Sequence, residues 1–163
     1  IIHGGEISGC TVVFAQKGDD LFAFHAGQLG NDASAWETGS DGVKSILQSY
    51  DAMTGGANIV DGMIYDNQVL ADFLAKNFDF SSLTYCGHNE TVSDHKNVSV
   101  FNYNSEVSSV GDNKVRVGNA MLILTNKDNK PYIECLSDDM TINKNTLTTE
   151  SIGNSVSTQK QVL

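Results

Sequence analysis

Residues 8–27 read SGCTVVFAQKGDDLFAFHAG, and this stretch decides much of the fold. Residues 11–16 and 21–26 are two short runs rich in valine, phenylalanine and alanine, and the turn signal KGDD separates them. Apolar runs on either side of a glycine-containing turn are typical of a β-hairpin. We therefore predict two antiparallel strands here, with the chain reversing at Gly18 and Asp19.

The turn decides which side chains of the predicted hairpin share a face. If the strands pair about Gly18 and Asp19, Val12 lies opposite His25, and Cys10 and His25 point to the same side of the sheet. Diagonal neighbours of this kind have backbones roughly 7–8 Å apart, within side-chain reach. A loop one residue longer would turn His25 to the other face. The two-residue turn therefore predicts a thiol and an imidazole close together.

A thiol beside an imidazole is an arrangement suited to nucleophilic catalysis. The thiolate is the nucleophile, and a nearby imidazole can remove the thiol proton and lower the thiol pKa as an imidazolium. Ser8 and Gly9 are small, which leaves room for a substrate, and the Cys10 N–H can point at a developing oxyanion. We therefore predict Cys10 and His25 as catalytic residues and Ser8 and Gly9 as residues of oxyanion binding and substrate access. The group that orients the imidazole stays open between a backbone carbonyl and three side chains, Asn58, Asp61 and Asn89.

The rest of the chain predicts two helices and further strands. Apolar residues recur with helical spacing over 41–50, and Asp66 is a helix cap for a second apolar face over 69–77, with a strand over 58–65 between them. Later β-like segments are residues 83–86, 98–103, 115–125 and 132–136, and the polar tail from Thr141 adds one edge strand. We predict one α+β domain over residues 1–163, with a mainly antiparallel or mixed sheet stack and two helices packed on it.

Charge and hydropathy exclude some classes of partner. The net charge is −10 and Arg116 is the only arginine. Such an acidic surface repels phosphate backbones, so we predict no nucleic-acid partner. No apolar run approaches the ~20 residues of a membrane span, so we predict none in this chain.

The cysteine count argues against a disulfide framework. The chain has three cysteines, Cys10, Cys86 and Cys135. An odd, low number of cysteines is not typical of a secreted domain that is held together by disulfide bonds. One bridge between Cys86 and Cys135 stays open, although small buried thiols are the default interpretation.

The segment ISGCTVVFAQKGDDLFAFHAG resembles the catalytic segment of the cytotoxic necrotizing factor family, which includes dermonecrotic toxin and, more distantly, the Burkholderia lethal factor. Residues 7–10 and His25 match that family's motif at its spacing. The resemblance implies that Cys10 is the nucleophile and His25 the acid/base. It also implies a central β-sandwich flanked by helices, in line with the strand-rich pattern above.

The activity implied by the resemblance is deamidation of a glutamine in a host protein, with transglutamination by some members. Rho-family GTPases and a translation-initiation helicase are the implied targets, no cofactor is needed, and the domain would belong to a secreted bacterial toxin acting in the host cytosol. Only nine residues precede Cys10, whereas the family carries a longer segment there, and Gly4 stands where the lethal-factor branch has a threonine. We therefore expect the chain to be part of a longer toxin, or another group to orient His25.

Two alternatives belong to other functional classes. HAGQLG, residues 25–30, resembles the HAGWRG segment of a zinc-dependent purine-nucleoside enzyme family, in which Cys10, His25 and His3 would be metal ligands. A non-enzymatic secreted recognition module would leave Cys10 unreactive. His88 and His95 are interpreted as solvated loop residues, and Trp36 as an anchor of its polar loop.

Overall fold

The computed structural model describes residues 1–27, 39–87, 91–103 and 113–161, apart from the side chains of residues 39–41, 152 and 161. In these ranges the chain forms eight strands and two helices. The strands are β1 (Ile2–Ile7), β2 (Thr11–Lys17), β3 (Asp20–Ala26), β4 (Phe80–Tyr85), β5 (Val98–Asn102), β6 (Lys114–Lys127), β7 (Lys130–Asn143) and β8 (Thr149–Gln161). The helices are α1 (Gly39–Thr54) and α2 (Asn67–Asn77).

The strands form two four-stranded sheets. The first has the order β3-β2-β4-β5 and the second the order β1-β6-β7-β8. Neighbouring strands are antiparallel except for β4 and β5, which are parallel. The prediction of an α+β fold with mainly antiparallel, mixed sheets and helices is confirmed.

Alternation along β2 separates the two layers of the core. Val13 and Ala15 pack with residues of both helices, whereas Val12 and Phe14 pack with residues of the second sheet. Because β2 is buried on both faces, its sequence is an almost continuous apolar run rather than an alternating one. The helices therefore cover one face of the first sheet, and the second sheet covers the other.

The β2–β3 hairpin has the predicted register. Lys17 pairs with Asp20 across a two-residue turn, and Val12 pairs with His25. Gly18 has φ +56°, in the left-handed region that the first position of such a turn requires. Cys10, which precedes β2, therefore lies beside the end of β3.

The predicted strand over residues 58–65 is wrong. The backbone N–H of Asn58 donates to Asp51 Oδ2 at 2.7 Å, and the N–H of Val60 donates to Tyr65 Oη at 2.6 Å. The Tyr65 hydroxyl in turn reaches the Val60 carbonyl at 3.2 Å. Side chains thus satisfy backbone groups that a strand would pair with a neighbouring strand.

The structure adds a strand that the sequence analysis did not predict. β1 pairs with β6, and its register shifts between His3 and Glu6. Gly4 lies in this irregularity and packs against β2, where a Cβ would lie 3.1 Å from Val12 Cγ2. The glycine pair and the short length hide the alternation by which a strand is recognised.

The helices lie where the periodicity predicts, and α1 is longer than expected. Asp66 caps α2, because its Oδ1 accepts from the Val69 N–H at 2.8 Å. Leu70 and Leu74 of α2 are fully buried, as predicted for that face. Neither helix in the described part of the chain is long and apolar enough to cross a membrane.

Candidate active site

Cys10 lies between β1 and β2, directly after the turn of Ser8 and Gly9. Gly9 has φ +88°, a backbone conformation that side chains disfavour, so a glycine is required for this turn. Ser8 and Gly9 are exposed and Cys10 is half-buried at the margin of the core between the sheets. The sulfur is therefore not sealed inside the core.

The structure brings Cys10 and His25 together at Gly27. A Cβ built on Gly27 would lie 2.6 Å from Cys10 Sγ and 3.5 Å from His25 Nε2. The distance between Cys10 Sγ and His25 Nε2 is therefore at most the sum of these two distances. A small side-chain movement can bring the two atoms into contact. His25 itself lies on the exposed edge strand β3, so solvent and a substrate can reach its ring.

Sequence reasoning did not single out Gly27. The β2–β3 pairing, continued by one step, places residue 27 opposite Cys10. Any side chain at that position would collide with the sulfur, because a Cβ there would lie only 2.6 Å from Sγ. The hairpin register already places residue 27 opposite Cys10, but only the side-chain geometry shows that the sulfur lies against it.

The Gly27→Ala variant is expected to slow alkylation of Cys10 by iodoacetamide about 10- to 100-fold, because misplacing a reacting atom by 1 Å costs on the order of 100-fold in rate. The added methyl group would press on Sγ and turn the thiol away from His25. Alkylation rates at fixed pH and the thermal unfolding midpoint would be measured together. A variant that folds normally and reacts at the wild-type rate would contradict this reading of the site.

Burial raises the pKa of the Cys10 thiol, and the neighbouring Cys86 acts in the same direction. The backbone N–H of Ser8 lowers the pKa by a smaller amount. We expected an imidazolium to lower this pKa, whereas burial raises it. A raised pKa favours the neutral form of the Cys10 thiol.

All three cysteines are free thiols, so the bridge left open between Cys86 and Cys135 is absent. Cys135 is buried between the sheets, and burial raises the pKa of its thiol to about 12. Val12 pairs with Thr84 across β2 and β4, and two more steps along this ladder place Cys86 opposite Cys10. Cys10 thus lies between Gly27 on one side and Cys86 on the other.

Two of the predicted orienting groups, Asn58 and Asp61, are not at the imidazole. The Asn58 side chain donates a hydrogen bond to Asp51 in α1, and Asp61 lies in an exposed turn. In the ranges that the structure describes, no residue is hydrogen-bonded to the His25 ring. Asn89 lies outside the described residues.

The described residues do not form the three-ligand site that the zinc alternative requires. They contain no group of three histidine, cysteine or acidic side chains placed to hold a metal ion. His3, the third ligand of that alternative, instead accepts a hydrogen bond from the Gly5 N–H on its own strand at 3.2 Å. This geometry gives the zinc alternative no support.

The remaining singled-out residues lie away from the site or outside the described ranges. His95 Nε2 lies 2.8 Å from Asp72 Oδ1, so this loop histidine is attached to α2. Trp36 and His88 belong to residues 28–38 and 88–90, which are not among the described residues.

Tyr103 is a residue of the site that sequence reasoning missed. Its hydroxyl donates to the Cys10 carbonyl oxygen at 2.8 Å, although 93 positions separate the two residues. No local pattern indicates such a contact, because the fold of the whole first sheet brings the end of β5 beside the start of β2.

Comparison with known proteins agrees with this fold. The chain is similar to the C-terminal domain of CNFy from Yersinia pseudotuberculosis, with a TM-score of 0.74 and 24% sequence identity over 98% of this chain. The match covers 52% of that chain, so the protein described here spans about half the length of this relative. No curated protein sequence matches the chain significantly. The family model described as the Rho-activating domain of cytotoxic necrotizing factor matches residues 1–152. With a match over that much of its length, the chain belongs to the cytotoxic necrotizing factor Rho-activating domain family.

Proposed function

We propose that this chain deamidates a glutamine side chain of a Rho-family GTPase, with Cys10 as nucleophile and His25 as general acid and base. The observation that carries the proposal is that Cys10 Sγ and His25 Nε2 both lie close to one point beside Gly27, at 2.6 Å and 3.5 Å from the position that a Cβ would take there. The family's description supplies the protein class of the substrate. We further propose that the chain acts in the host cytosol as the catalytic domain of a secreted bacterial toxin.

The proposed reaction begins with proton transfer. His25 removes the proton from the neutral Cys10 thiol as the sulfur attacks the carboxamide carbon of the glutamine. The carbonyl oxygen becomes an oxyanion, for which the Cys10 N–H beside Gly9 is the proposed donor. The protonated imidazole then gives its proton to the departing nitrogen, and ammonia leaves with formation of a thioester.

Water completes the reaction. The now neutral His25 takes a proton from a water molecule that attacks the thioester carbonyl, and returns it to the Cys10 sulfur as glutamate is released. An amine in place of water would give a cross-link through the same thioester. No step needs a metal ion or an organic cofactor.

The chemical change accounts for an effect on a GTPase. Glutamate carries a negative charge that glutamine lacks. In a GTPase whose glutamine orients the water that attacks the γ-phosphate, this substitution prevents hydrolysis and leaves the nucleotide-bound, active form. The electrostatic surface of the chain agrees with a protein substrate, because its net charge of −10 disfavours nucleic acid.

The test is incubation of the chain with a purified Rho-family GTPase, followed by peptide mass measurement and an ammonia assay. We expect a gain of about 1 Da on one glutamine, since an amide NH is replaced by oxygen, with one ammonia released per event. A GTPase with that glutamine changed to asparagine is the matched substrate control. A mass gain equal to an added amine minus ammonia would identify transglutamination as the preferred outcome.

Two results would contradict the proposal. An unmodified GTPase at stoichiometric enzyme would exclude this substrate class, and a translation-initiation helicase is then the next substrate to assay. A modified GTPase whose rate is unchanged after alkylation of Cys10 would exclude the proposed nucleophile.

A further inference from the structure

The Tyr103 ring is held firmly between the sheets. The residue is 1% exposed and follows β5 directly, where its N–H donates to the Tyr85 carbonyl at 3.1 Å. The ring packs closely against Gly118 of β6, because a Cβ there would be 2.6 Å from Tyr103 Cγ. The absent side chain at Gly118 is therefore what makes room for the ring, and the hydroxyl has little freedom to move.

The hydroxyl of this fixed ring contacts the backbone on both sides of the nucleophile. It donates to the Cys10 carbonyl oxygen at 2.8 Å, and a hydrogen bond from the Gly9 backbone lowers the pKa of the phenol by less than burial raises it. Burial raises the pKa of the Tyr103 phenol, and the nearby Cys86 and Cys10 thiols act in the same direction. The phenol is therefore neutral and remains a donor across the whole working pH range.

These two contacts restrain the backbone on either side of the Gly9–Cys10 peptide. The Gly9 N–H belongs to the preceding peptide unit and the Cys10 carbonyl to the following one. Restraining both neighbours limits the directions in which the Cys10 N–H, the proposed oxyanion donor, can point. The constraint has to come from outside the segment, because the positive φ of Gly9 is a conformation that a free glycine leaves readily.

We propose that Tyr103 is a positioning residue that aims the Cys10 N–H at the oxyanion by holding the backbone of Cys10 through the hydrogen bond from its hydroxyl to the Cys10 carbonyl. This inference rests on the proposed acyl-transfer function of Cys10, and adds a residue far from the motif to it. Tyr103 does not touch the reacting atoms in this arrangement. Its contribution is therefore realised only when negative charge develops on the substrate oxygen.

The first test is the Tyr103→Phe variant, which keeps the buried ring and removes the hydroxyl. We expect kcat for GTPase deamidation to fall about 10- to 100-fold with KM changed less than about twofold, because the lost interaction acts in the transition state alone. Tyr65→Phe is the matched control. Tyr65 is equally buried, and its hydroxyl also bonds a backbone group, the Val60 N–H, but in the helical layer away from Cys10.

The second test separates oxyanion binding from general loosening of the site. A peptide with a glutamate semialdehyde side chain adds the Cys10 thiol to its carbonyl and places an oxygen where the oxyanion forms. Iodoacetamide alkylates the same thiol without forming an oxyanion. In Tyr103→Phe we expect the aldehyde to bind about 10- to 100-fold more weakly and the alkylation rate to change less than about threefold.

Each outcome decides between the two proposals. The role of Tyr103 is overturned if Tyr103→Phe keeps the wild-type kcat and the wild-type affinity for the aldehyde. It is also overturned if Tyr65→Phe loses as much kcat as Tyr103→Phe, or if Tyr103→Phe changes KM alone. A wild-type protein that does not modify the GTPase contradicts the proposed substrate, whereas the aldehyde experiment still tests Tyr103. Should Tyr103→Phe unfold, Gly118→Ala supplies a second variant, in which the ring is displaced and the same loss of aldehyde affinity is expected.

Discussion

Replacing Cys10 by serine is expected to abolish glutamine deamidation, with kcat lower by on the order of 10⁴-fold or more, because residues that form one nucleophile–base unit cannot be removed singly without losing the unit. Serine is nearly the same size, so the half-buried position beside Gly27 stays filled and the fold is retained. A hydroxyl is a much weaker acid than a thiol, and burial already raises the pKa of the thiol at this position. His25 would therefore have to remove a far less acidic proton.

The measurement is ammonia release together with peptide masses of the GTPase, at equal concentrations of correctly folded protein. Cys135→Ala is the matched control, since it removes a thiol that is buried between the sheets and has no path to substrate. His25→Ala is expected to lose a similar amount of activity, and the double variant little more than either single variant. Substantial deamidation by Cys10→Ser or by His25→Ala would remove that residue from the mechanism.

The second large effect concerns stability. Asp139→Ala is expected to lower the free energy of unfolding by about 3–5 kcal/mol, the usual cost of breaking a buried ion pair by removing one partner. Asp139 and Arg116 have side chains 0% and 6% exposed, and Arg116 donates to Asp139 Oδ2 through Nε at 3.0 Å and also through an Nη group. Without the carboxylate, the buried guanidinium loses its charged partner on β7.

A second, more exposed ion pair on the same sheet provides the control for this prediction. Lys114 and Glu150 also form an ion pair between strands, but their side chains are 34% and 65% exposed. Glu150→Ala is therefore expected to cost less than about 1 kcal/mol, as is usual for exposed pairs. Chemical denaturation of both variants, with a check that the slope of unfolding against denaturant is unchanged, measures the difference. Equal losses for the two variants would show that burial does not set the strength of this pair.

Much of the site was accessible from the sequence because it is built on a hairpin. A two-residue turn with glycine at its first position sets the register of every later pair, and the period of two along a strand then determines the faces. Both rules are local, so the position of Cys10 relative to His25 was correctly predicted. The two helices were predicted for the same reason, since helical spacing and the Asp66 cap are contained within a few residues.

Other features of the chain could not be predicted in this way. Residues 58–65 have the composition of a strand, but a strand needs a neighbour, and Asp51 and Tyr65 supply the hydrogen bonds instead. β1 was missed because its glycines obscure the alternation, and it exists as a strand only through its pairing with β6.

By itself, the sequence determined the hairpin, its register, the two helices and the proximity of Cys10 to His25, because each of these depends on turn chemistry and side-chain periodicity within about twenty residues. The tertiary structure alone decided that the missing side chain of Gly27 makes room for the Cys10 sulfur, that Tyr103 reaches the Cys10 backbone, and that Asp139 meets Arg116 with both side chains buried. These three contacts join positions far apart in the chain, or depend on the direction of a single side chain. They arise when the sheets stack, so no local pattern contains them.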